Sequence, residues 1–182
     1  VVDLYRIQKH AAYFYQSQRP ADIDLSSYGL ESGPMVYIAN LWDNKADTEV
    51  RIYSNCDTVE LFLNGKSLGE RGHDETIWGP HGNVDPSGYP NSNSGKEISA
   101  DHLKNSPITF NLDKYEAGQL KAVGKINGEV VTEYIRNTPK APTNINLRME
   151  SDVAVPLDGS SAKLVWVDIT DVDGTVVGNA YT

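Results

Sequence analysis

The stretch that decides the fold is residues 50–69, which read Val-Arg-Ile-Tyr-Ser-Asn-Cys-Asp-Thr-Val-Glu-Leu-Phe-Leu-Asn-Gly-Lys-Ser-Leu-Gly. Val59, Leu61 and Leu63 recur at every second position, which is the period of a β-strand with one buried face. Asn64-Gly65 then favours a type I′ turn, because both central residues of that turn need positive φ. The stretch therefore predicts two strands joined by a tight hairpin.

The same period of two recurs on both sides of this hairpin. Segment 35–39 is strand-like, segment 120–125 alternates in the same way, and Asn127-Gly128 predicts a second hairpin into 130–135. Short strands separated by frequent turns, with no long internal helix, are typical of a β-sandwich. The sequence therefore predicts an all-β protein with an immunoglobulin-like sandwich over residues 27–137.

A helical pattern precedes the predicted sandwich. Ala11, Phe14 and Gln18 lie at positions i, i+3 and i+7, which share one helix face. Pro20 disfavours continuation of that helix. We expect a short helix over about residues 9–18, and its aromatic content indicates that it packs against a large surface.

A second, smaller unit follows the predicted sandwich. Pro139 and Pro142 mark a linker, and strand-like segments with an Asp-Gly turn come after it. Three or four strands are fewer than the roughly seven of a complete sandwich. Residues 138–182 are therefore predicted to begin a second immunoglobulin-like domain that is incomplete here or completed by pairing elsewhere.

A long irregular insert, about residues 70–107, interrupts the predicted sandwich. Such loops inside a compact domain are usually functional or disordered. Trp78 and Tyr89 lie on this insert, and they are candidate carbohydrate contacts because an aromatic ring suits the C–H face of a pyranose. Trp42 is a weaker candidate of the same kind. The alternative is that these rings pack the loop onto the sandwich or onto another domain.

Composition excludes several classes of function. The 182 residues carry 16 Lys+Arg and 25 Asp+Glu, which gives a formal net charge of −9. This acidic balance argues against a nucleic-acid partner, because clustered cations must neutralise phosphates. No apolar run is long enough to span a membrane, and a single cysteine forms no intrachain disulfide.

Two groups of residues raise the question of a metal site. The acids at 168, 171 and 173 with Gly174 faintly resemble a calcium loop, but the spacing is incomplete and Asp-Gly is common in turns. His73-Asp74-Glu75 could join His81 and His102 on the insert, although no motif fixes their geometry. We therefore predict a hairpin turn and solvated loop residues, with no metal and no cofactor.

Cys56 and the many carboxylates could in principle carry catalysis. A catalytic thiolate needs a base or a cationic neighbour, and Cys56 has none beside it in sequence. A glycosidase needs two paired carboxylates, and no pair stands at a recognisable spacing. No catalytic residue is therefore predicted.

Three segments resemble bacterial glycoside hydrolases of family 2, the β-galactosidase type. Residues 12–18, Ala-Tyr-Phe-Tyr-Gln-Ser-Gln, resemble the segment that closes the catalytic barrel, and Arg6-Ile7-Gln8-Lys9 matches the preceding Arg-x-Pro-Lys except at Gln8. Residues 50–69 and 118–124 resemble the first sandwich domain after the barrel. The segment 138–177 is similar to the start of a following immunoglobulin-like domain.

The resemblance implies an organisation and a role. Residues 1–20 would be the end of a catalytic barrel, and the rest would be a non-catalytic C-terminal region that buttresses it and borders the substrate cleft. In this family both catalytic carboxylates belong to the barrel, so the resemblance implies that these 182 residues alone are not an enzyme, whereas the longer chain is a retaining glycosidase. The alternative is an independent carbohydrate-binding module that takes a galactoside or polysaccharide through loop aromatics.

The resemblance also implies partners and a location. The expected partner is the catalytic barrel of the longer chain, in a periplasmic or secreted protein. Without that barrel, the helix face that carries Phe14 and its neighbouring tyrosines would be partly uncovered, and exposed apolar patches favour self-association.

Overall fold

The computed structural model describes residues 8–43, 48–78, 97–149, 159, 160, 162 and 164–178. The chain divides into two units, Val1–Arg136 and Asn137–Thr182. The described residues form one α-helix, one short 3-10 helix and eleven strands. All of the strand pairings with an assigned register are antiparallel, and the predicted all-β class is confirmed.

The elements follow one another in short steps along the chain. The helix α1 is His10–Ser17, which confirms the helix expected over about 9–18, and the 3-10 helix is Ser26–Tyr28. The strands are β1 (Val36–Ile38), β2 (Glu49–Ser54), β3 (Thr58–Leu63), β4 (Lys66–Arg71), β5 (Thr76–Trp78), β6 (Glu97–Ser99), β7 (Ile108–Asn111), β8 (Gln119–Ile126), β9 (Glu129–Asn137), β10 (Asn144–Met149) and β11 (Val165–Thr170).

Two sheets of the first unit face each other across one core. The first sheet has the order β1-β2-β7 and the second has the order β4-β3-β8-β9. The inward positions of β2 and β3 alternate with half-exposed ones, as their period of two predicts. The core takes apolar side chains from both sheets: Val36, Ile38, Val50, Ile52, Ile108 and Phe110 from the first, and Val59, Leu61, Leu63, Leu120 and Ala122 from the second.

Both predicted hairpins have the backbone that their sequences require. Asn64 and Gly65 have φ values of 52° and 79°, and Asn127 and Gly128 have φ values of 52° and 81°. Positive φ at both central residues is the signature of a type I′ turn. These turns fix the registers by which β4 and β9 join the ends of the second sheet.

An arginine closes each open side of the sandwich. Arg136 on edge strand β9 donates from Nη2 to the carbonyl oxygen of Ile38 on edge strand β1, at 3.1 Å. On the other side, Arg71 of β4 donates from Nη1 to the carbonyl oxygen of Thr109 on β7, also at 3.1 Å. Each guanidinium also lies near aromatic rings, with Arg71 5.4 Å from the centre of Phe110. We call these two contacts the arginine clasps.

The second unit is built around one antiparallel pair of strands. In the register of β10 and β11, Ile145 lies opposite Ile169, Leu147 opposite Val167, and Met149 opposite Val165. Ile145 and Leu147 are 71% and 70% exposed. One side of this strand pair therefore exposes apolar side chains. A two-stranded pair is marginally stable alone, and such a surface is typical of strands that pack against another element.

Among the described residues, no helix combines the length and the apolar character that crossing a bilayer requires.

Substitution of Gly124 tests the close packing of β8 against β9 and against Cys56, which precedes β3. A Cβ at this position would lie 2.7 Å from the Cys56 sulfur and 2.9 Å from Cγ2 of Thr132. We expect Gly124→Ala to lower the free energy of unfolding by about 1–3 kcal/mol, because overpacking forces neighbours to shift. Urea denaturation measures the change.

Gly72→Ala is the matched control, since its Cβ would meet nothing closer than 3.8 Å. It should be neutral or stabilise by up to about 1 kcal/mol through reduced chain entropy. Equal stability of the two variants would contradict the predicted clash.

Candidate functional site

The two ends of the long insert meet at a hydrogen-bonded base. The Nε2 atom of His73 lies 2.9 Å from the carbonyl oxygen of Cys56, and its Nδ1 lies 2.5 Å from that of Ser106. The amide of Asp74 donates to the carbonyl of Pro107 at 3.0 Å, and the hydroxyl of Ser106 donates back to the carbonyl of Asp74. We call this arrangement the insert base. It fixes the points at which the insert leaves and rejoins the sandwich.

The insert base is tied to the end of α1 by a reciprocal pair of side chains. Asn105 donates from Nδ2 to the carbonyl of Ser17 at 2.7 Å, and its backbone amide donates to Oε1 of Gln18 at 3.2 Å. Gln18 in turn donates from Nε2 to the carbonyl of Asn105 at 2.6 Å. Three hydrogen bonds thus join segments 87 or 88 residues apart in sequence. The helix and the insert are positioned together.

Aromatic rings seat α1 on the first sheet. Tyr13 stacks on Tyr37 of β1 with ring centres 3.7 Å apart, and Phe14 meets the ring of Tyr53 edge-on at 5.4 Å. Contacts of this kind add about 0.5–1.5 kcal/mol each beyond the area they bury. Tyr15 on the same helix stays 60% exposed. The helix therefore folds over its own sandwich, and self-association through it stays a prediction.

His10 begins α1 beside the same cluster of rings. Its Nδ1 lies 2.8 Å from the hydroxyl oxygen of Tyr37. Partial burial, and then the charge of Arg136, hold the pKa of His10 below its ordinary value of 6.5. Burial also raises the pKa values of Tyr13 and Tyr37, so these phenols stay neutral near neutral pH.

The three candidate carbohydrate contacts have different positions. Trp42 is 1% exposed, lies 4.9 Å from the ring of Tyr115, and donates from Nε1 to the carbonyl of Glu116. It is a core residue, and so buried a ring offers no face to a pyranose. Trp78 is the last residue of β5, with its side chain outside the described part of the chain, and Tyr89 lies outside the described residues altogether.

The structure places the candidate metal ligands that it describes in several different environments. Both ring nitrogens of His73 face backbone carbonyls, His102 is exposed, and His81 lies outside the described residues. Asp171 is buried and accepts the amides of Lys140, Asp173 and Thr175. The hydrogen bond from Lys140 is the largest cause that lowers the pKa of Asp171. This carboxylate organises a turn of the second unit.

Cys56 is a buried residue of the short connection between β2 and β3. It is 1% exposed, and burial raises the pKa of its thiol. A thiol with a raised pKa is a poor nucleophile near neutral pH. This environment agrees with the structural role that the sequence predicts.

Sequence reasoning missed the residues that build the junction between α1 and the insert. Asn105 and Gln18 carry no local motif, and their partners are distant in sequence. A single sequence does not reveal which polar residues meet across such a distance.

The fold defines the chain as an all-β sandwich protein, and comparison with known proteins shows what it is similar to. Residues 45–132 match a family described as a domain of unknown function, DUF4982. The chain is 26% identical over 181 residues to a β-galactosidase of Thermoanaerobacter pseudethanolicus, covering 97% of this chain and 21% of that protein. It is 24% identical over 180 residues to a β-glucuronidase of Formosa agariphila, covering 95% of this chain and 14% of that protein.

Solved structures share the fold. A β-glycosidase from Bacteroides vulgatus matches 97% of this chain and 18% of its own, with a TM-score of 0.64 and 23% identity. A structure described as a β-glucuronidase from glycoside hydrolase family 2 matches 96% of this chain and 15% of its own, with a TM-score of 0.65 and 22% identity.

The chain is thus an all-β region that is similar to part of several longer glycoside hydrolases. The predicted relationship with glycoside hydrolase family 2 is confirmed. The chain spans about a fifth or less of the length of each of these relatives.

Substitution of Asn105 tests the junction between α1 and the insert base. Asn105→Ala removes the side-chain hydrogen bond to Ser17 and loosens the pairing with Gln18. We expect a loss of about 1–2 kcal/mol in the free energy of unfolding. Amide hydrogen exchange should also become faster over residues 10–18.

Lys104→Ala is the control, because Lys104 is the exposed neighbour of Asn105. Its exchange rates over α1 should match those of the unmodified chain. Unchanged protection of α1 in Asn105→Ala would show that the junction does not hold the helix.

The lowered pKa of His10 predicts a pH dependence with a definite sign. Because the folded-state pKa lies below 6.5, the unfolded chain binds the proton more readily, and protonation favours unfolding. The contribution of His10 to stability is complete above about pH 6.5 and is lost as the pH falls through the interval below it. Melting temperatures from about pH 8 to about pH 5 measure this slope.

His10→Gln should flatten that slope, whereas His102→Gln, at an exposed position, should leave it unchanged. Identical slopes in all three proteins would remove His10 as the cause.

Proposed function

We propose that this chain is the non-catalytic sandwich region that follows the catalytic barrel in a family 2 glycoside hydrolase. In this role the sandwich buttresses the barrel, and the long insert borders the substrate cleft. The longer protein acts in carbohydrate degradation as a retaining glycosidase of the β-galactosidase type and works in the periplasm or outside the cell.

The observation that carries this proposal is the junction between α1 and the insert base. Residues 12–18 resemble the segment that ends the barrel, and α1 is bonded to the sandwich through Gln18 and Asn105. Stacking of Tyr13 on Tyr37 adds a second attachment. A helix held in this way suits a rigid connection between a barrel and the domain after it.

The same junction supports a role for the insert near the barrel. The insert leaves the sandwich at His73 and returns at Ser106, next to the end of α1. A loop rooted beside the barrel segment can reach the barrel without a long span. Trp78 and Tyr89 then remain the candidate carbohydrate contacts of this region.

A non-catalytic role is supported by the arrangement of the strands. Barrel glycosidases build their active sites at the ends of parallel strands, from the βα loops. The sheets of the described residues are antiparallel, with turns in place of these loops. Retaining catalysis also needs two carboxyl groups about 5–5.5 Å apart at one site, and the resemblance implies that both belong to the barrel.

Turnover assays test the absence of catalysis. The purified 182-residue chain should not release nitrophenol from a nitrophenyl β-galactoside or β-glucuronide above the buffer rate. Release at a rate typical of glycosidases, roughly 1–1,000 per second, would overturn the proposal.

Isothermal titration separates the buttressing role from an independent carbohydrate-binding module. Galactosides and galactose-rich polysaccharides should give no heat of binding with the isolated chain. Binding that is lost in Trp78→Ala but retained in Tyr28→Ala, a control at a 77% exposed tyrosine, would instead establish the binding module.

A further inference from the structure

A trough lies on the side of the sandwich where the edge strands β4 and β7 face each other. It has a volume of about 250 Å³. Its apolar lining comes from Leu63, Leu68, Phe110 and Leu112, and its cationic lining comes from Arg71 and Lys114. We call it the edge trough. Its volume is below the roughly 300–1,000 Å³ of sites for drug-sized ligands, so it suits a single ring.

Arg71 is held in place at this trough. Its Nη1 donates to the carbonyl of Thr109, and its guanidinium carbon lies 5.4 Å from the centre of the Phe110 ring. These two contacts fix the plane of the guanidinium but use only one of its five N–H donors. A guanidinium that is already oriented loses little entropy when it binds a carboxylate.

The charge at the edge trough is opposite in sign to that of the whole chain. Arg71 and Lys114 supply two positive charges against the single negative charge of Asp113, whereas the chain carries a formal net charge of −9. A local excess of cations on an acidic protein selects an anionic ligand of limited size. A long polyanion would meet repulsion from the surrounding surface.

We propose that the edge trough binds one uronic-acid residue of a carbohydrate. The aliphatic side chains of Leu63 and Leu68 would pack on the C–H face of the pyranose, and Arg71 and Lys114 would bind its carboxylate. This inference rests on the proposed carbohydrate setting of the chain, but it uses residues other than Trp78 and Tyr89.

Titration with D-glucuronate, followed by amide chemical shifts at low ionic strength, tests this site. Amide signals of residues 63–71 and 110–114 should shift and saturate with D-glucuronate, but not with D-glucose or acetate at the same concentrations. Lys114→Gln should weaken D-glucuronate about three-fold and Arg71→Gln about ten-fold, because the fork of Arg71 can make two charge-assisted bonds. Lys104→Gln, at an exposed lysine outside the trough, is the control and should bind as the unmodified chain does.

Several results would overturn the proposal. Amide shifts with acetate equal to those with D-glucuronate would indicate a simple anion site. Equal shifts with D-glucose would show that the carboxylate has no role. The absence of saturable shifts would show that the trough is not a binding site. Since Arg71 also clasps β7, its variant is checked by thermal melting, and Lys114→Gln alone decides the outcome if Arg71→Gln is unfolded. Failure here leaves the turnover and galactoside results unaffected, so the two proposals can fail separately.

Discussion

Closure of the open sides of the sandwich is the constraint on which the rest of the first unit depends. Two separate sheets bury their apolar faces well, but each edge strand leaves backbone groups without a ladder partner. Arg136 and Arg71 each cross from one sheet to a carbonyl on the edge of the other. At β7, Asp74 also accepts the amide of Thr109, so both backbone groups of this edge residue are bonded.

The attachment of α1 and the path of the insert follow from the same closure. On one side, Arg136 lies near the rings of Tyr37 and Tyr134, and Tyr13 of α1 stacks on Tyr37. On the other side, Asp74 belongs both to the edge of β7 and to the insert base. The groups that finish the edges of the sandwich therefore also position the helix and the insert, which are the parts that we propose contact a barrel.

The sequence predicted the regular parts of this fold better than its polar contacts. Alternation in β3 and the Asn-Gly turns depend on local backbone preference, so a single sequence reveals them. Trp42 stands in a polar stretch of sequence but lies in the core. The sequence did not reveal this position, because the carbonyl that accepts from Trp42 belongs to Glu116, 74 residues away. The pattern around Asp171 allowed a calcium loop, whereas its carboxylate accepts three backbone amides, of which that of Lys140 is 31 residues away.

By itself, the sequence determined the strand period, the two type I′ turns, the short helix and the relationship with family 2 glycoside hydrolases. These properties are local, or are preserved in runs such as residues 50–69. Only the tertiary structure decided which residues join α1 to the insert, which arginines close the sandwich and which charges line the edge trough. Those pairings join residues 38 to 98 positions apart, and only the packing of the two sheets brings them within bonding distance.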